Sequence, residues 1–340
     1  LAVTLKDIAL KVGKSVTTVS RALHGYDDVS PETKELVRQV ALDMGYFPSS
    51  FAQGLQKQKT DTIGFVLPTY GPRFTDPFFS EFLAGVGNKA GTLGYDILVS
   101  TCPPGDQELL TYQHKVQTRR VDGFIIVRTR RQDLRINYLC QVGFPFVAFG
   151  RIEAPCDFPH VDEDSEYGMR LIIDHLANRG YKRIGFLAAP HDLMFAALRM
   201  NGFIEGLKVH NLPLEESLIV TGDLTQRGGY AKTKVLLDLP DPPDAIVASN
   251  DLMAIGAIRA VQERGLRVGM DIAITGFDDT TMSEHTHPPL TTVNQPVYQI
   301  GGMVTEMLIK RIQGVTLDYE KILLMPSLII RQSCGENAPH

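Results

Sequence analysis

From residue 62 onward the chain alternates short runs of β-branched and aromatic residues with stretches whose apolar positions recur every three or four residues. The runs are TIGFVL, YDILVS, GFIIV, PFVAFG, RIGFLAA, LIVTG, AIVAS, DIAITGF and ILLMPSLII. Runs that lack polar alternation read as strands buried on both faces, and strands separated by helices pair in parallel. There are too many for one sheet of usual size. The pattern therefore predicts an α/β body of two doubly wound parallel-sheet halves, with a break near Pro159-His160-Val161.

The first 45 residues are patterned differently. Ile8, Ala9 and Val12 form a helical stripe ended by Gly13, and Thr4 with Asp7 three positions on predicts a capping box at its start. Ser15 then caps a second helix, Val16 to Leu23, whose inner stripe is Val19, Ala22 and Leu23. Two helices linked only by Gly13-Lys14-Ser15 make a helix-turn-helix. Ser30 as N-cap and Pro31 at the first position open a third helix. Leu36, Val37, Val40, Ala41 and Met44 should face inward, with Gly45 as its end. The result is a small all-α head.

The outer side of the second helix shows Val16, Thr17, Ser20 and Arg21, with no acid among them. Short side chains and donors suit entry into a DNA major groove. Val16 suits a thymine methyl, Thr17 and Ser20 suit hydrogen bonds, and Arg21 suits a guanine or a phosphate. Without DNA, the same pattern describes an ordinary three-helix bundle.

Charge favours the DNA reading. The net charge is -5, yet residues 1–60 hold eight Lys/Arg against six Asp/Glu, and the remainder 26 against 33. A mildly basic head on an acidic body places any polyanion contact in the head. Apolar residues make up 44% of the 340 and charged residues 21%, as in globular proteins. No apolar run reaches the roughly 18 residues of a membrane span, so no membrane partner is expected. The stretch LAVTLKDIAL has no basic segment followed by a long apolar core, so no secretory leader is expected. Cys102, Cys140, Cys156 and Cys334 form no CxxC pair and are expected to be buried thiols of a cytoplasmic protein.

The motifs VTLKDIALKVGKSVTTVSRALHG and VSPETKELVRQVALDMGYFPSS resemble, in order and spacing, the DNA-binding head of the lactose-repressor/galactose-repressor family. The resemblance extends over residues 3–332 and implies a body like the periplasmic sugar-binding proteins. It implies a transcriptional regulator, usually a repressor, whose homodimer reads a near-palindromic operator DNA under control of a small effector. Thr4, Ser15 and Thr18 join the candidate DNA contacts. Lys14 stands where Val is usual and adds a phosphate contact, and His24 stands where Asn is usual. The segment PSSFAQGLQKQKTDT matches the family's hinge helix, in which Leu55, preceded by Ala52 and Gln53, would wedge into the minor groove. Ser49 replaces the usual Asn, and Gly54 weakens a helix by about 1 kcal/mol relative to Ala. The hinge is therefore expected to lack a stable helix without DNA.

Ligands of open parallel sheets bind beyond the carboxyl ends of strands. After TIGFVLP comes DPFF, where adjacent aromatics serve packing more often than binding; the resemblance makes Phe78 and Phe79 stacking candidates. Gly150 stands where many relatives have Asp, and Arg151 beside it is a cleft candidate. LRMNGF matches the family's R-x-x-G-F helix, which implies that Arg199 projects into the cleft and makes forked bonds to hydroxyls or a carboxylate. Asp192 and Phe195 lie just upstream, and Leu224 stands where relatives often place an aromatic. Asn250 in ASND and Asp278 in TGFDDT end two further strands, with Asp251 and Asp279 in structural roles. Arg, Asn, Asp and Phe around one cleft favour a mono- or oligosaccharide, with nucleosides and small acids as alternatives.

Other functional classes fit poorly. Gly85-x-Gly87-x-x-Ala90 has dinucleotide-fingerprint spacing but lies inside a helical pattern rather than at a strand-to-helix turn. His285 and His287 have no third ligand at metal spacing, and neither a GxSxG elbow nor a P-loop occurs. No catalytic residue, metal or other cofactor is expected. The competing class is a sugar-binding transport or chemoreceptor protein, which would carry a signal peptide in place of the head. The expected division is a helix-turn-helix domain at 1–48, a hinge at 49–61, and an effector-binding and dimerisation body at 62–333. Half one spans about 62–160 plus 291–321, and half two about 161–290 plus 322–333. No heptad repeat follows Arg331, so a coiled-coil tetramer is not expected.

Overall fold

The computed structural model describes residues 3–46, 59–69, 76–103, 105–152 and 154–335. It divides into two units, Leu1–Thr60 and Asp61–His340. In the first, α1 (Leu5–Val12), α2 (Val16–Leu23) and α3 (Pro31–Asp43) bury Ile8, Val19 and Val37 completely. Ala9, Ala22 and Ala41 share that core and let the short helices approach closely. The Asp7 carboxylate accepts the Thr4 N–H at 2.8 Å and its hydroxyl at 2.7 Å, starting α1. Ser15 Oγ accepts the Thr18 N–H at 3.0 Å, and Gly13, at φ 64°, makes the turn between α1 and α2.

Leu36 departs from expectation: it is 48% exposed. Val37 and Ala41 are buried and Val40 and Met44 pack beside them, and one helical residue turns a side chain by about 100° out of that stripe. Ser49, Ala52, Gln53, Gly54 and Leu55 of the expected hinge lie outside the described residues.

The second unit begins with β1 (Thr62–Pro68), α4 (Pro77–Thr92), β2 (Asp96–Cys102), α5 (Asp106–Gln117), β3 (Gly123–Ile126), α6 (Leu134–Val142), β4 (Phe146–Phe149) and β5 (His160–Glu163). It continues with α7 (Ser165–Asn178), β6 (Ile184–Ala188), α8 (Met194–Val209), β7 (Ile219–Thr221), α9 (Gln226–Leu237), β8 (Ala245–Ala248), α10 (Asp251–Glu263), β9 (Ala273–Asp278) and β10 (Thr291–Asn294). It closes with α11 (Val297–Ile312), β11 (Lys321–Leu324) and β12 (Ser327–Ile329). One sheet has the order β11-β5-β4-β3-β1-β2, with every pairing parallel. The other has the order β12-β10-β9-β8-β6-β7, parallel except for the β10–β12 pair.

Each crossing between halves comes a few residues later than the sequence pattern placed it. β5 belongs to the first sheet, β10 to the second, and ILLMPSLII splits around Met325-Pro326 into β11 of the first and β12 of the second. Apolar runs mark strands but do not say which sheet a strand joins. Pro326, without an N–H to donate, interrupts what the composition presents as one run.

Strand residues alternate between two buried faces. Ile63, Phe65 and Leu67 of β1 meet α4 and α11, while Val66 meets the core under α5 and α6. In the second sheet Phe186 packs with α7 and α8, and Leu187 with α9 and α10. Helices on both faces explain why these strands carry no polar stripe.

Gly85 lies inside α4, and a Cβ there would sit 2.0 Å from the Tyr298 carbonyl oxygen of α11. Gly301 of α11 reciprocates: its Cβ would sit 2.4 Å from the Phe82 carbonyl oxygen. These glycines let two helix backbones touch. Gly85→Ala should therefore destabilise the body by about 1–3 kcal/mol, read as a lower urea midpoint.

The cysteine expectation needs correction. Cys140, near the end of α6, and Cys156, in the β4–β5 connection, form a disulfide with a Cα–Cα distance of 5.8 Å. The fold brings the two segments together across 16 residues, a spacing that carries no local signal. Cys102 and Cys334 are buried thiols, and burial pushes the Cys334 pKa up to about 11. Among the described residues no helix is long and apolar enough to cross a membrane.

Candidate ligand cleft and nucleic-acid interface

A cleft is lined by residues at or beyond the carboxyl ends of strands in both halves. Of the candidates from sequence, Phe78, Arg151, Phe195, Arg199, Leu224, Asn250 and Asp278 line it. Phe79 and Asp192 do not. Phe79 is fully buried in the core against Phe65, because one residue along α4 rotates its ring away from Phe78. Asp192 is half exposed and lies 3.7 Å from Arg130 in an ion pair.

Arg199 is the most constrained group in the cleft. Its guanidinium carbon lies 3.6 Å from the Phe277 ring centroid and 4.7 Å from that of Phe195. Nη1 donates to the Ser249 carbonyl oxygen, and Nη2 lies 3.7 Å from Asp278 Oδ1. Nε has no hydrogen-bond partner among the described residues. Burial lowers the Arg199 pKa, against the pull of Asp278 and Glu163. Asp278 also accepts from Gln295 Nε2 at 3.0 Å, and burial holds its carboxyl well above the usual carboxylate range despite Arg199.

Asn250 caps α10 by accepting the Met253 N–H at 3.1 Å and donates to the Leu224 carbonyl at 3.1 Å. That second bond holds Leu224 at φ 65° on the cleft wall. Asp251 faces inward and accepts from Thr280 and Thr292, and Asp279 accepts from Arg331 at 2.8 Å and from Asn294 at 2.9 Å. Both tie loops together and neither lines the cleft.

Sequence reasoning passed over several cleft residues, among them Asp76, Arg128, Phe149, Asp162, Glu163 and Gln295. Asp76 caps α4 and pairs with Arg128 at 2.7 Å. Phe149 stacks 6.0 Å from Phe78, extending that aromatic wall. The strand-end rule, applied to β3 and β5 as well, would have reached Arg128 and Glu163; at β4 it went to Gly150 and Arg151 and passed over Phe149, the last strand residue. Asp162 lies 3.2 Å from Arg151, and burial pushes its pKa up to about 6.

Glu163 is 2% exposed, and neither carboxyl oxygen has a hydrogen-bond partner among the described residues. Burial pushes its pKa from 4.5 up to about 8, with Asp162 and Asp164 adding to the rise and Arg199 opposing it. A raised acid holds its proton in the folded state while the unfolded chain loses it, so stability falls as pH climbs from about 4.5 to about 8. Glu163→Gln should therefore melt above the parent at pH 8, with the gap closing towards pH 4.5. Differential scanning calorimetry across that range checks it.

The two halves are stitched at the cleft mouth. Residues Arg130 and Leu193 form an antiparallel bridge, with Met194 N–H donating to the Thr129 carbonyl at 2.8 Å and Arg131 N–H to the Asp192 carbonyl at 2.9 Å. Arg130 also bonds Glu108 at 2.6 Å, in a buried network with Arg135 and Asp133. Asp192 thus belongs to the contact between the halves rather than to the cleft wall.

In the head, Lys14, Val16, Thr17 and Arg21 are exposed, and Ser20 and Thr18 are half-buried. His24 Nδ1 contacts the Ser20 carbonyl at 2.5 Å, and its Nε2 has no partner among the described residues. Thr4 and Ser15 are engaged in helix caps. An acid absent from the outer side of α2 arrives from the following turn: Asp28 pairs with Arg21 at 2.7 Å.

A helix-turn-helix head in one chain with a two-halved ligand cleft defines a ligand-responsive DNA-binding regulator. Residues 4–49 match the profile of bacterial regulatory proteins of the lacI family, and residues 173–334 that of periplasmic binding protein-like domains. The chain is 33% identical to the HTH-type transcriptional regulator CelR of Thermobifida fusca, over 97% of its own length and 98% of that relative. The structure of a transcriptional regulator CelR-cellobiose complex matches with a TM-score of 0.75 at 32% identity, covering 97% of this chain and 99% of that one. The lac repressor dimer bound to operator and the anti-inducer ONPF matches with a TM-score of 0.85 at 29% identity, covering 98% and 100%. This chain belongs to the lacI family of bacterial regulatory proteins and is a DNA-binding transcriptional regulator.

Proposed function

We propose that the chain is a cytoplasmic repressor that binds a near-palindromic operator as a homodimer, controlled by a saccharide in the cleft. The carrying observation is Arg199, packed on two aromatic rings beside Asp278 in a cleft that also holds Phe78, Phe149 and buried acids. Such groups fix hydroxyls while aromatic rings cover the C–H face of a sugar. The likeness to a cellobiose complex and to an operator-bound dimer supports the same reading. The reading assigns no catalytic step to the cleft acids. A transport or chemoreceptor role would leave the helix-turn-helix without a task.

Two-fold symmetry of a dimer requires two half-sites in the operator. An effector that prefers one arrangement of the halves must shift operator affinity, and operator must shift effector affinity by the same factor. A thermal-shift screen against sugars, nucleosides and small carboxylic acids tests the ligand class. A sugar should raise the melting temperature in proportion to the logarithm of its concentration above Kd. Shifts from nucleosides or acids alone would overturn the saccharide assignment.

A further inference from the structure

The outer face of α2 meets an acid that its own sequence lacks. Arg21 donates Nε–H to Asp28 Oδ1 at 3.1 Å and lies 2.7 Å from Asp28 Oδ2 through Nη2. The Tyr26 ring lies under the guanidinium, 5.0 Å from its carbon to the ring centroid. The turn that carries Tyr26 and Asp28 is itself anchored: Val29 is buried in the head core, and Lys34 Nζ donates to the Gly25 carbonyl at 3.1 Å.

We propose that Asp28 is a specificity-determining positioning residue that aims Arg21 at a guanine. The reasoning follows from the guanidinium's five N–H donors. Asp28 occupies the side edge, through Nε and Nη2. Of the three left, two form the end edge, one N–H each from Nη1 and Nη2, which matches guanine O6 and N7 in the major groove. Tyr26 restrains the plane of that fork. A phosphate would also accept the fork but would be repelled by the carboxylate behind it; a guanine edge is neutral and is not. The side chains of Arg21 and Asp28 are 45% and 52% exposed, and exposed pairs contribute little to stability. The pair therefore serves orientation rather than folding.

The inference rests on the head reading DNA, and the test separates the two. In vitro selection with the intact chain on randomised duplexes supplies the site. Failure to enrich any sequence would overturn DNA reading itself, and the Arg21 assignment with it. Given a site, affinities of the parent, Asp28→Asn and Asp28→Ala are compared on duplexes altered one symmetric pair at a time. Both variants should lose about tenfold discrimination at a single guanine position and keep it elsewhere. Replacing that guanine by 7-deazaguanine, which lacks the N7 acceptor, should weaken the parent and leave Asp28→Ala little changed. Asp28→Glu should restore part of the discrimination, and circular dichroism should show the head folded in all variants. If Asp28→Ala instead tightens binding to every duplex alike, with discrimination intact, Asp28 is only a repulsive charge and the proposal fails. Arg21→Lys, which keeps charge but not the fork, should reproduce the loss without touching Asp28; retained discrimination in that variant would also overturn it.

Discussion

Arg21→Ala is expected to weaken operator binding about ten- to a hundredfold while leaving ligand binding in the cleft unchanged. Arg21 is exposed, and its ion pair is with a residue equally open to solvent. Truncation therefore removes little folding energy, and Ala is a better helix former than Arg. What it removes is the one long cation on the outer side of α2. It also leaves the Asp28 carboxylate unneutralised beside DNA, adding repulsion to the lost contact. Operator affinity by fluorescence anisotropy and ligand affinity by calorimetry are the two readouts. Equal loss of both would contradict the separation of tasks between head and body.

Arg199→Ala should have the mirror-image outcome: the effector response disappears and operator binding without effector persists. Arg199 lines the cleft beside Asp278, where a guanidinium can donate to a ligand oxygen. Hydrogen bonds to a charged group contribute about 1.5–3 kcal/mol each, so effector affinity should fall roughly tenfold or more. Truncation also leaves a void between Phe195 and Phe277. Asp278→Asn is the companion variant, because it keeps size and changes charge. Asn also tolerates the positive φ of 122° at that position better than Ala. A normal effector response in both variants would remove these residues from the binding machinery.

Much of this was legible before any coordinates. Ser15, Ser30 and Pro31 announce helices because capping is a local transaction between a side chain and backbone groups three residues away. The strands were legible because burial on both faces leaves no polar position. Arg151, Asn250 and Asp278 followed from the strand-end rule read together with the family resemblance, and Phe78 and Arg199 from that resemblance. Tertiary neighbours were not legible. Phe78 and Phe79 are chemically alike and adjacent, and only the seating of α4 on β1 decides which ring faces ligand. Asp28 lies seven residues from Arg21, beyond the helix, so a reading of α2 alone found an acid-free face. Cys140 and Cys156 meet because α6 lies against a loop, and Glu163 reaches the cleft because β5 joins the first sheet. Gly85 imitated a nucleotide motif because a glycine that admits a helix looks the same in sequence as one that admits a phosphate.

The long return of the chain has a consequence for how the protein is made. α11 packs on α4 and over β3, β4 and β5, yet it is synthesised after β6 to β10. On the ribosome β6 to β10 of the second sheet can pair, with only its edge strand β12 still to come, while Phe82, Val86 and Ile125 wait for Ile300, Val304 and Leu308. The half encoded first therefore waits for its core until five of the six strands of the other sheet have been made. Until residues 297–312 leave the exit tunnel, one apolar face of that half stays open to chaperones or to premature contact with another nascent chain.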